Sequence, residues 1–174
     1  PFQFLADTNT LNAFGDAPAG YANMAEQVST FNSDAPVLSD APKMGDTAIY
    51  LFTSGTTGLP KAAPGSHRKF IMAYGGFGLM SLAMKPEDVL YCTLPLYHGT
   101  ALLVCWGSVL AGGSAIALRR KFSASAFWDD VRYYHATTFG YVGELCRYLL
   151  NQPPSEQDRN HSLTKMIGNG LRPS

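Results

Sequence analysis

Short apolar segments alternate with longer amphipathic ones over most of the chain after residue 46. Segments rich in β-branched and aromatic residues predict strands over 48–53, 89–93, 114–118, 137–141 and 165–168. Segments with helical spacing of apolar residues, most of them followed by Gly or Pro, predict helices over 66–83, 100–111, 123–134 and 143–151. Ser66 and Ser123 are the predicted N-caps of the first and third of these helices. This alternation is typical of helices packed on a mostly parallel sheet, so the sequence predicts an α/β fold.

The first 46 residues are less regular and are rich in Asp, Ala, Pro and Asn. Their pattern predicts a strand over 2–5, a short helix over 21–31 and a linker over 34–46. We therefore expect residues 1–46 to be a linker or part of a preceding subdomain. Residues 47–174 are expected to form the α/β subdomain.

Charged residues make up 15% of the 174 residues, against about 25% in a typical soluble domain. The low charge predicts a truncated piece of a larger protein. Its apolar faces would then cover the missing remainder of the parent chain or support self-association. Thirteen basic and thirteen acidic residues balance, and the absence of a dense basic cluster excludes nucleic acid as a partner.

The three cysteines, Cys92, Cys105 and Cys146, lie in apolar segments without a CxxC or zinc-site spacing. This pattern predicts buried, reduced thiols in a cytoplasmic protein. Residues 89–118 contain no Asp, Glu, Lys or Arg, but Pro and Gly interrupt the run. The sequence therefore predicts a buried helix and strand there, not a membrane span, and leaves peripheral membrane association open.

The segment from Thr53 to Lys61 directly follows a strand that is predicted to be buried, and it contains four hydroxyl side chains, two glycines and a lysine. Gly55 and Gly58 allow the backbone to approach a ligand where a Cβ would obstruct it. Hydrogen bonds to a charged group contribute about 1.5–3 kcal/mol each, so such a loop suits phosphate. It is not the common nucleotide P-loop, because the glycine spacing differs and Ala62 follows the lysine.

The run Tyr50-Leu-Phe-Thr-Ser-Gly-Thr-Thr-Gly-Leu-Pro-Lys61 resembles the signature of the adenylate-forming enzymes, which include acyl-CoA synthetases, firefly-type luciferases and peptide-synthetase adenylation domains. Leu94-Pro-Leu-Tyr-His98-Gly resembles the second core element of that superfamily. Three further stretches, 119–130, 141–154 and 168–172, are similar to the fatty-acid transport protein and very-long-chain acyl-CoA synthetase branch. The resemblance covers about residues 46–174.

The resemblance implies a role for each matching residue. Lys61 and His98 are implied in catalysis. Three groups are implied in binding: the phosphate loop of Thr53, Ser54, Gly55, Thr56, Thr57, Gly58 and Lys61, the acyl site of Tyr97, His98, Tyr141, Gly143 and Glu144, and the adenine site of Gly168, Asn169, Gly170 and Leu171. Glu144 suits a helix-start pairing equally well, and both interpretations stay open.

Each of these segments follows a predicted strand. Ligands of parallel sheets bind beyond the carboxyl ends of the strands. We therefore expect the phosphate loop, the His98 turn, the Tyr141 segment and the Gly168 segment to meet at one edge of one sheet.

The implied reaction of the parent protein joins a long or very long fatty acid to AMP, using ATP and Mg²⁺, and then transfers the acyl group to coenzyme A. By this resemblance, the chain ends before the acidic element that holds magnesium in the superfamily, and it lacks the C-terminal domain of the superfamily. We therefore expect no metal ligand within this chain, and the 174 residues alone to be inactive. A carnitine-type, aryl or amino-acid adenylating enzyme is one alternative, and a non-catalytic lipid-uptake protein is another.

Overall fold

The computed structural model describes residues 11–13, 21–34, 40–53 and 61–171. It contains two compact units, 1–41 and 42–174. In the first unit, β1 (Leu11–Ala13) pairs in parallel with β2 (Tyr21–Asn23), and α1 (Met24–Ser29) follows. The strand predicted over 2–5 lies outside the described residues.

In the second unit, four of the described strands form a parallel sheet in the order β6-β5-β7-β8. These strands are β5 (Val89–Cys92), β6 (Ala115–Leu118), β7 (Thr138–Val142) and β8 (Lys165–Asn169). All four were predicted, to within two residues at each end. The fold class is therefore confirmed as α/β, with a parallel sheet and flanking helices.

Two helical segments cover one face of this sheet. The first is α2 (His67–Ala73), which continues as a π-helix over Tyr74–Ser81; the second is a π-helix over Thr100–Trp106, which continues as α3 (Gly107–Gly112). The Ser66 side chain accepts a hydrogen bond from the Lys69 N–H, as expected of the predicted N-cap. Successive strand residues point to opposite faces, so Leu90 and Cys92 pack against this helical pair.

The opposite face is covered by α4 (Phe127–Tyr133) and α5 (Gly143–Leu150), and a 3₁₀ turn over Glu156–Arg159 precedes β8. Here Tyr91 and Phe139 pack against Phe127 in a fully buried aromatic cluster. The prediction that Ser123 is the N-cap of α4 was wrong, since the helix begins four residues later. The Ser123 hydroxyl instead accepts a hydrogen bond from Ala126 N–H in the preceding turn.

The first predicted strand of the subdomain does form, as β3 (Thr47–Thr53), but it does not join the parallel sheet. It pairs antiparallel with β4 (Lys61–Ser66), which was not predicted, in a separate two-stranded sheet of the described residues. The strand was also expected to be buried, yet Phe52 is exposed and Ile49 to Leu51 are half-buried. A hairpin of two strands covers each of its members less than a larger sheet does.

Cys92 and Cys105 are buried free thiols, as predicted, whereas Cys146 on α5 is half-buried and so departs from the prediction. The Cys105 thiol contacts Cys92, and this hydrogen bond and burial raise the pKa of Cys105. Within the described part of the chain, no helix combines the length and the apolar character that crossing a membrane requires.

Candidate active site

The two ends of the predicted phosphate loop are held together by the hairpin. Thr53 and Lys61 are register partners in β3 and β4, and the Thr53 hydroxyl donates to the Lys61 carbonyl oxygen at 3.4 Å. Both residues are exposed. The residues between them that were assigned to the phosphate site lie outside the described residues: Ser54, Gly55, Thr56, Thr57 and Gly58. Thr53 ends β3 and Lys61 begins β4, so the expectation that the loop follows a strand of the parallel sheet was wrong.

The other three predicted segments do follow strands of the parallel sheet. Because β5, β7 and β8 run in the same direction, their carboxyl ends lie at one edge. The His98 turn follows β5, Gly143 begins α5 directly after β7, and Gly170 follows β8. The structure therefore brings together three of the four segments at this edge, which we call the carboxyl edge.

The acyl-site and adenine-site segments are in direct contact. Tyr141 pairs with Gly168, and Val142 pairs with Asn169, in the ladder between β7 and β8. A Cβ atom on Gly143 would overlap the carbonyl oxygen of Gly170. Gly170 itself has φ of +75°, a conformation that side chains other than glycine rarely adopt. Glycine at 143 and 170 thus allows the two segments to approach backbone to backbone.

The turn that carries His98 is fixed by main-chain hydrogen bonds. The His98 N–H donates to the Pro95 carbonyl at 2.9 Å, and the His98 carbonyl accepts from the Leu102 N–H at 3.0 Å. This arrangement leaves the side chain of His98 exposed, and that of Tyr97 is 81% exposed. The turn therefore presents both side chains to solvent, where a ligand can reach them.

The same turn also lies beside the hairpin. A Cβ atom on Gly99 would lie 3.6 Å from Leu51 Cδ1, a normal van der Waals contact. Leu51 is two residues before Thr53, at which the phosphate loop begins. The contact places the turn of Tyr97 and His98 next to the strand that leads into the loop, although the loop is not part of the parallel sheet.

The predicted side chains of Glu144 and Asn169 also have protein partners. Glu144 forms an ion pair with Arg147 on the exposed face of α5, which is the helix-start pairing that the sequence left open. Asn169 Nδ2 donates to Thr100 Oγ1 at 3.2 Å. Leu171 is exposed and contributes to an apolar groove of about 540 Å³ with side chains of α4, α5 and β8.

Sequence reasoning missed Thr100. It is 6% exposed, begins the π-helix after the His98 turn, and contacts both the turn and the adenine-site segment. The only signal in the sequence was its place directly after the His98-Gly99 pair.

A polar cluster links buried Tyr91 to half-buried Asp130 and exposed Arg119. Tyr91 Oη donates to Asp130 Oδ2 at 2.6 Å, and Arg119, which follows β6, forms an ion pair with the same carboxylate. Burial and the hydrogen bond to Asp130 raise the pKa of Tyr91. The phenol therefore stays neutral and anchors α4 to β5.

Comparison with known proteins identifies the family. The pattern of the family described as "AMP-binding enzyme" matches residues 7–174. The chain is 44% identical to the medium/long-chain-fatty-acid–CoA ligase FadD6 of Mycobacterium tuberculosis over 97% of this chain and 30% of that protein. It is also 44% identical to human long-chain fatty acid transport protein 3, over 91% of this chain and 23% of that protein. The chain thus spans less than a third of either relative.

Solved structures show the same fold. The N-terminal domain of FACL13 from M. tuberculosis superposes with a TM-score of 0.71 at 21% identity, covering 90% of this chain and 40% of that one. O-succinylbenzoate coenzyme A synthetase from Bacillus subtilis, in complex with ATP and magnesium ion, superposes with a TM-score of 0.67 at 19% identity, covering 87% and 31%. The α/β fold and the family match over nearly the whole chain agree. The chain belongs to the AMP-binding enzyme family.

Proposed function

We propose that the full-length protein is a fatty acid–CoA ligase that forms AMP. It would convert a long-chain or very-long-chain fatty acid and ATP to acyl-adenylate and pyrophosphate, and then transfer the acyl group to coenzyme A. The observation that carries this proposal is the 44% identity to a fatty-acid–CoA ligase over 97% of the chain. The meeting of the predicted acyl and adenine segments at one sheet edge supports it.

The roles proposed for the chain's residues come from the resemblance to the superfamily, and their positions support them. A fatty-acid carboxylate is already a nucleophile, so the site must position it and stabilise charge on the leaving phosphates. Lys61, at the end of the loop, supplies a positive charge for the pyrophosphate that departs. Tyr97 and His98 face the ligand from the turn beside the hairpin, and Gly168 to Leu171 provide backbone for the adenine.

ATP is the substrate of this step, and magnesium is its expected cofactor. The related synthetase of B. subtilis was crystallised with both. Among the residues that the structure describes, no three His, Cys, Asp or Glu side chains lie close enough together to hold a metal ion. We therefore propose that the ligands of magnesium lie in other parts of the full-length protein.

We also propose that residues 47–174 form one subdomain of the AMP-binding region, and that other parts of the parent chain cover its apolar surface. The α2 helix and the π-helix that follows expose several large apolar side chains to solvent: Ile71, Met72, Leu79 and Met80. Self-association through the same surface is an alternative. The buried free thiols Cys92 and Cys105 favour a cytoplasmic location.

The experiment that tests the function is ATP–pyrophosphate exchange by the full-length protein over a panel of acids. We expect exchange to be fastest with fatty acids of long or very long chain. Faster exchange with carnitine-type, aryl or amino acids would show that the substrate belongs to that class and not to the fatty acids. If no acid supported exchange and ATP did not raise the thermal midpoint, the result would favour the non-catalytic lipid-uptake function.

A further inference from the structure

Thr100 connects two parts of the candidate site that are far apart in the sequence. Its hydroxyl accepts a hydrogen bond from Asn169 Nδ2 at 3.2 Å, and its backbone N–H donates to His98 Nδ1 at 3.4 Å. Thr100 is buried, whereas His98 and Asn169 are exposed. One buried residue therefore contacts two exposed ones, His98 in the turn after β5 and Asn169 at the end of β8.

The contact with His98 determines which ring nitrogen can donate. A nitrogen that accepts a hydrogen bond from a backbone N–H carries no proton, so the neutral imidazole has its proton on Nε2. Nε2–H is then a donor available to a ligand. Carboxylate and phosphate oxygens are acceptors, which are the groups that the proposed reaction brings to this turn.

The contact with Asn169 fixes the adenine-site segment. Asn169 is the last residue of β8, and Gly170 follows it with positive φ. A hydrogen bond from its side chain to the first residue of the neighbouring π-helix restrains the direction in which Gly170 and Leu171 leave the sheet. The hydroxyl of Thr100 thus helps to fix the position of the Gly170 and Leu171 backbone, which is proposed to bind the adenine of ATP.

We propose that Thr100 is a positioning residue. It fixes the distance between His98, which faces the acyl carboxylate, and the segment that binds adenine. The proposal rests on the proposed function, because it assigns the two ligands by that reaction. It does not require Thr100 to touch either ligand.

The test uses Thr100→Val in the full-length protein, since valine keeps the shape and the backbone N–H but removes the acceptor for Asn169. We expect KM for ATP in pyrophosphate exchange to rise about fivefold, the factor that one neutral hydrogen bond contributes. KM for the fatty acid should stay unchanged. Thr100→Ser should restore the wild-type KM for ATP. Thr164→Val is the matched control, because its hydroxyl lies at the opposite edge of the sheet, with a long contact of 3.5 Å to Thr137 O.

A double-mutant cycle with Asn169→Ala completes the test. If the two side chains act through one hydrogen bond, the double variant should raise KM for ATP no more than either single variant does. Additive increases would overturn the positioning role, and so would a wild-type KM in Thr100→Val.

Thermal midpoints of the same four proteins form a second cycle that needs no catalysis. We expect these shifts to be non-additive as well, and additive shifts would contradict the contact itself. If the wild-type protein catalyses no exchange, the proposed function fails, and the role of Thr100 in positioning the two ligand-binding segments fails with it. The thermal cycle then still decides whether the contact exists, so the two failures are distinguishable.

Discussion

The two edges of the parallel sheet use polar residues in different ways. At the amino edge, buried Asp88 accepts hydrogen bonds from Lys165 Nζ at 2.6 Å and from Thr137 Oγ1 at 2.7 Å. The Thr137 hydroxyl oxygen in turn accepts from the Val89 N–H at 3.2 Å. At the carboxyl edge, His98, Tyr97 and Asn169 are exposed. The first arrangement pairs buried polar groups within the protein, while the second exposes polar side chains to solvent, where a ligand can reach them.

This difference gives a physical criterion for where function lies. Polar groups that are buried and paired contribute mainly to folding, because removing one partner leaves the other without a hydrogen bond in a poorly hydrated place. Exposed polar groups at a sheet edge contribute little to folding and are free to meet substrate. Changes at the amino edge should therefore alter stability without altering turnover, and changes around the carboxyl edge should mostly do the reverse.

The largest effect is expected from Lys61→Gln in the full-length protein. Removing a positive charge that stabilises a departing phosphate should lower kcat for acyl-adenylate formation by about 100-fold, as for the loss of other preorganised charge-stabilising groups. Stability should not change, because Lys61 is exposed at the end of β4. Pyrophosphate release with a long-chain fatty acid measures the rate. Lys43→Gln, another exposed lysine, is the control; equal activity of the two variants would contradict the role of Lys61.

The next largest effect is expected from Asp88→Asn at the amino edge. The substitution removes the charge opposite Lys165 in a partly buried pair, so the free energy of unfolding should fall by about 2–3 kcal/mol. Urea unfolding of the chain, followed by fluorescence of Trp106 and Trp128, measures this change. In the full-length protein, kcat of the folded enzyme should equal the wild-type value. A large loss of kcat with unchanged stability would reverse the proposed division between the edges.

Gly143→Ala tests the one place at the carboxyl edge where stability and activity should change together. The added methyl group would overlap the Gly170 carbonyl oxygen, which belongs to backbone and cannot rotate away. We expect a loss of about 1–3 kcal/mol in stability and a higher KM for ATP in the full-length protein. Gly75→Ala is the control, since a methyl group there meets no atom within 4 Å. Equal stability of Gly143→Ala and wild type would exclude the close approach.

The sequence predicted the parallel sheet because its strands are apolar, rich in β-branched and aromatic residues, and separated by helical segments. It did not predict β4, because Lys61-Ala-Ala-Pro-Gly-Ser66 contains residues that strands disfavour. Without β4, the apolar run before Thr53 was assigned to the parallel sheet. The bond between Thr100 and Asn169 could not be predicted either, because it joins residues 69 positions apart and depends on the order of the strands.

The smallest expected effect is on the pH dependence of stability. Burial by itself would raise the pKa of Asp88, but hydrogen bonds from Lys165, Thr137 and the Lys85 N–H, with the charge of Lys165, hold that pKa below its ordinary value. A carboxyl group whose pKa is lower in the folded state stabilises the fold above its unfolded pKa of about 3.9. That contribution is lost as the pH falls through the folded value. The wild-type chain should therefore lose stability as the pH falls below about 5.

Asp88→Asn should be less sensitive to acid over this window, because asparagine does not titrate. Lys165→Met should also reduce the sensitivity, since it removes both a hydrogen bond and the charge that lower the pKa. Lys85→Met is the matched control, because residue 85 contributes its backbone N–H and not its side chain to Asp88. Urea midpoints at several pH values measure how steeply the stability of each protein changes with pH. If all three variants kept the wild-type slope, the acid sensitivity would arise elsewhere, and the amino edge would stabilise the sheet through packing and not through its buried carboxylate.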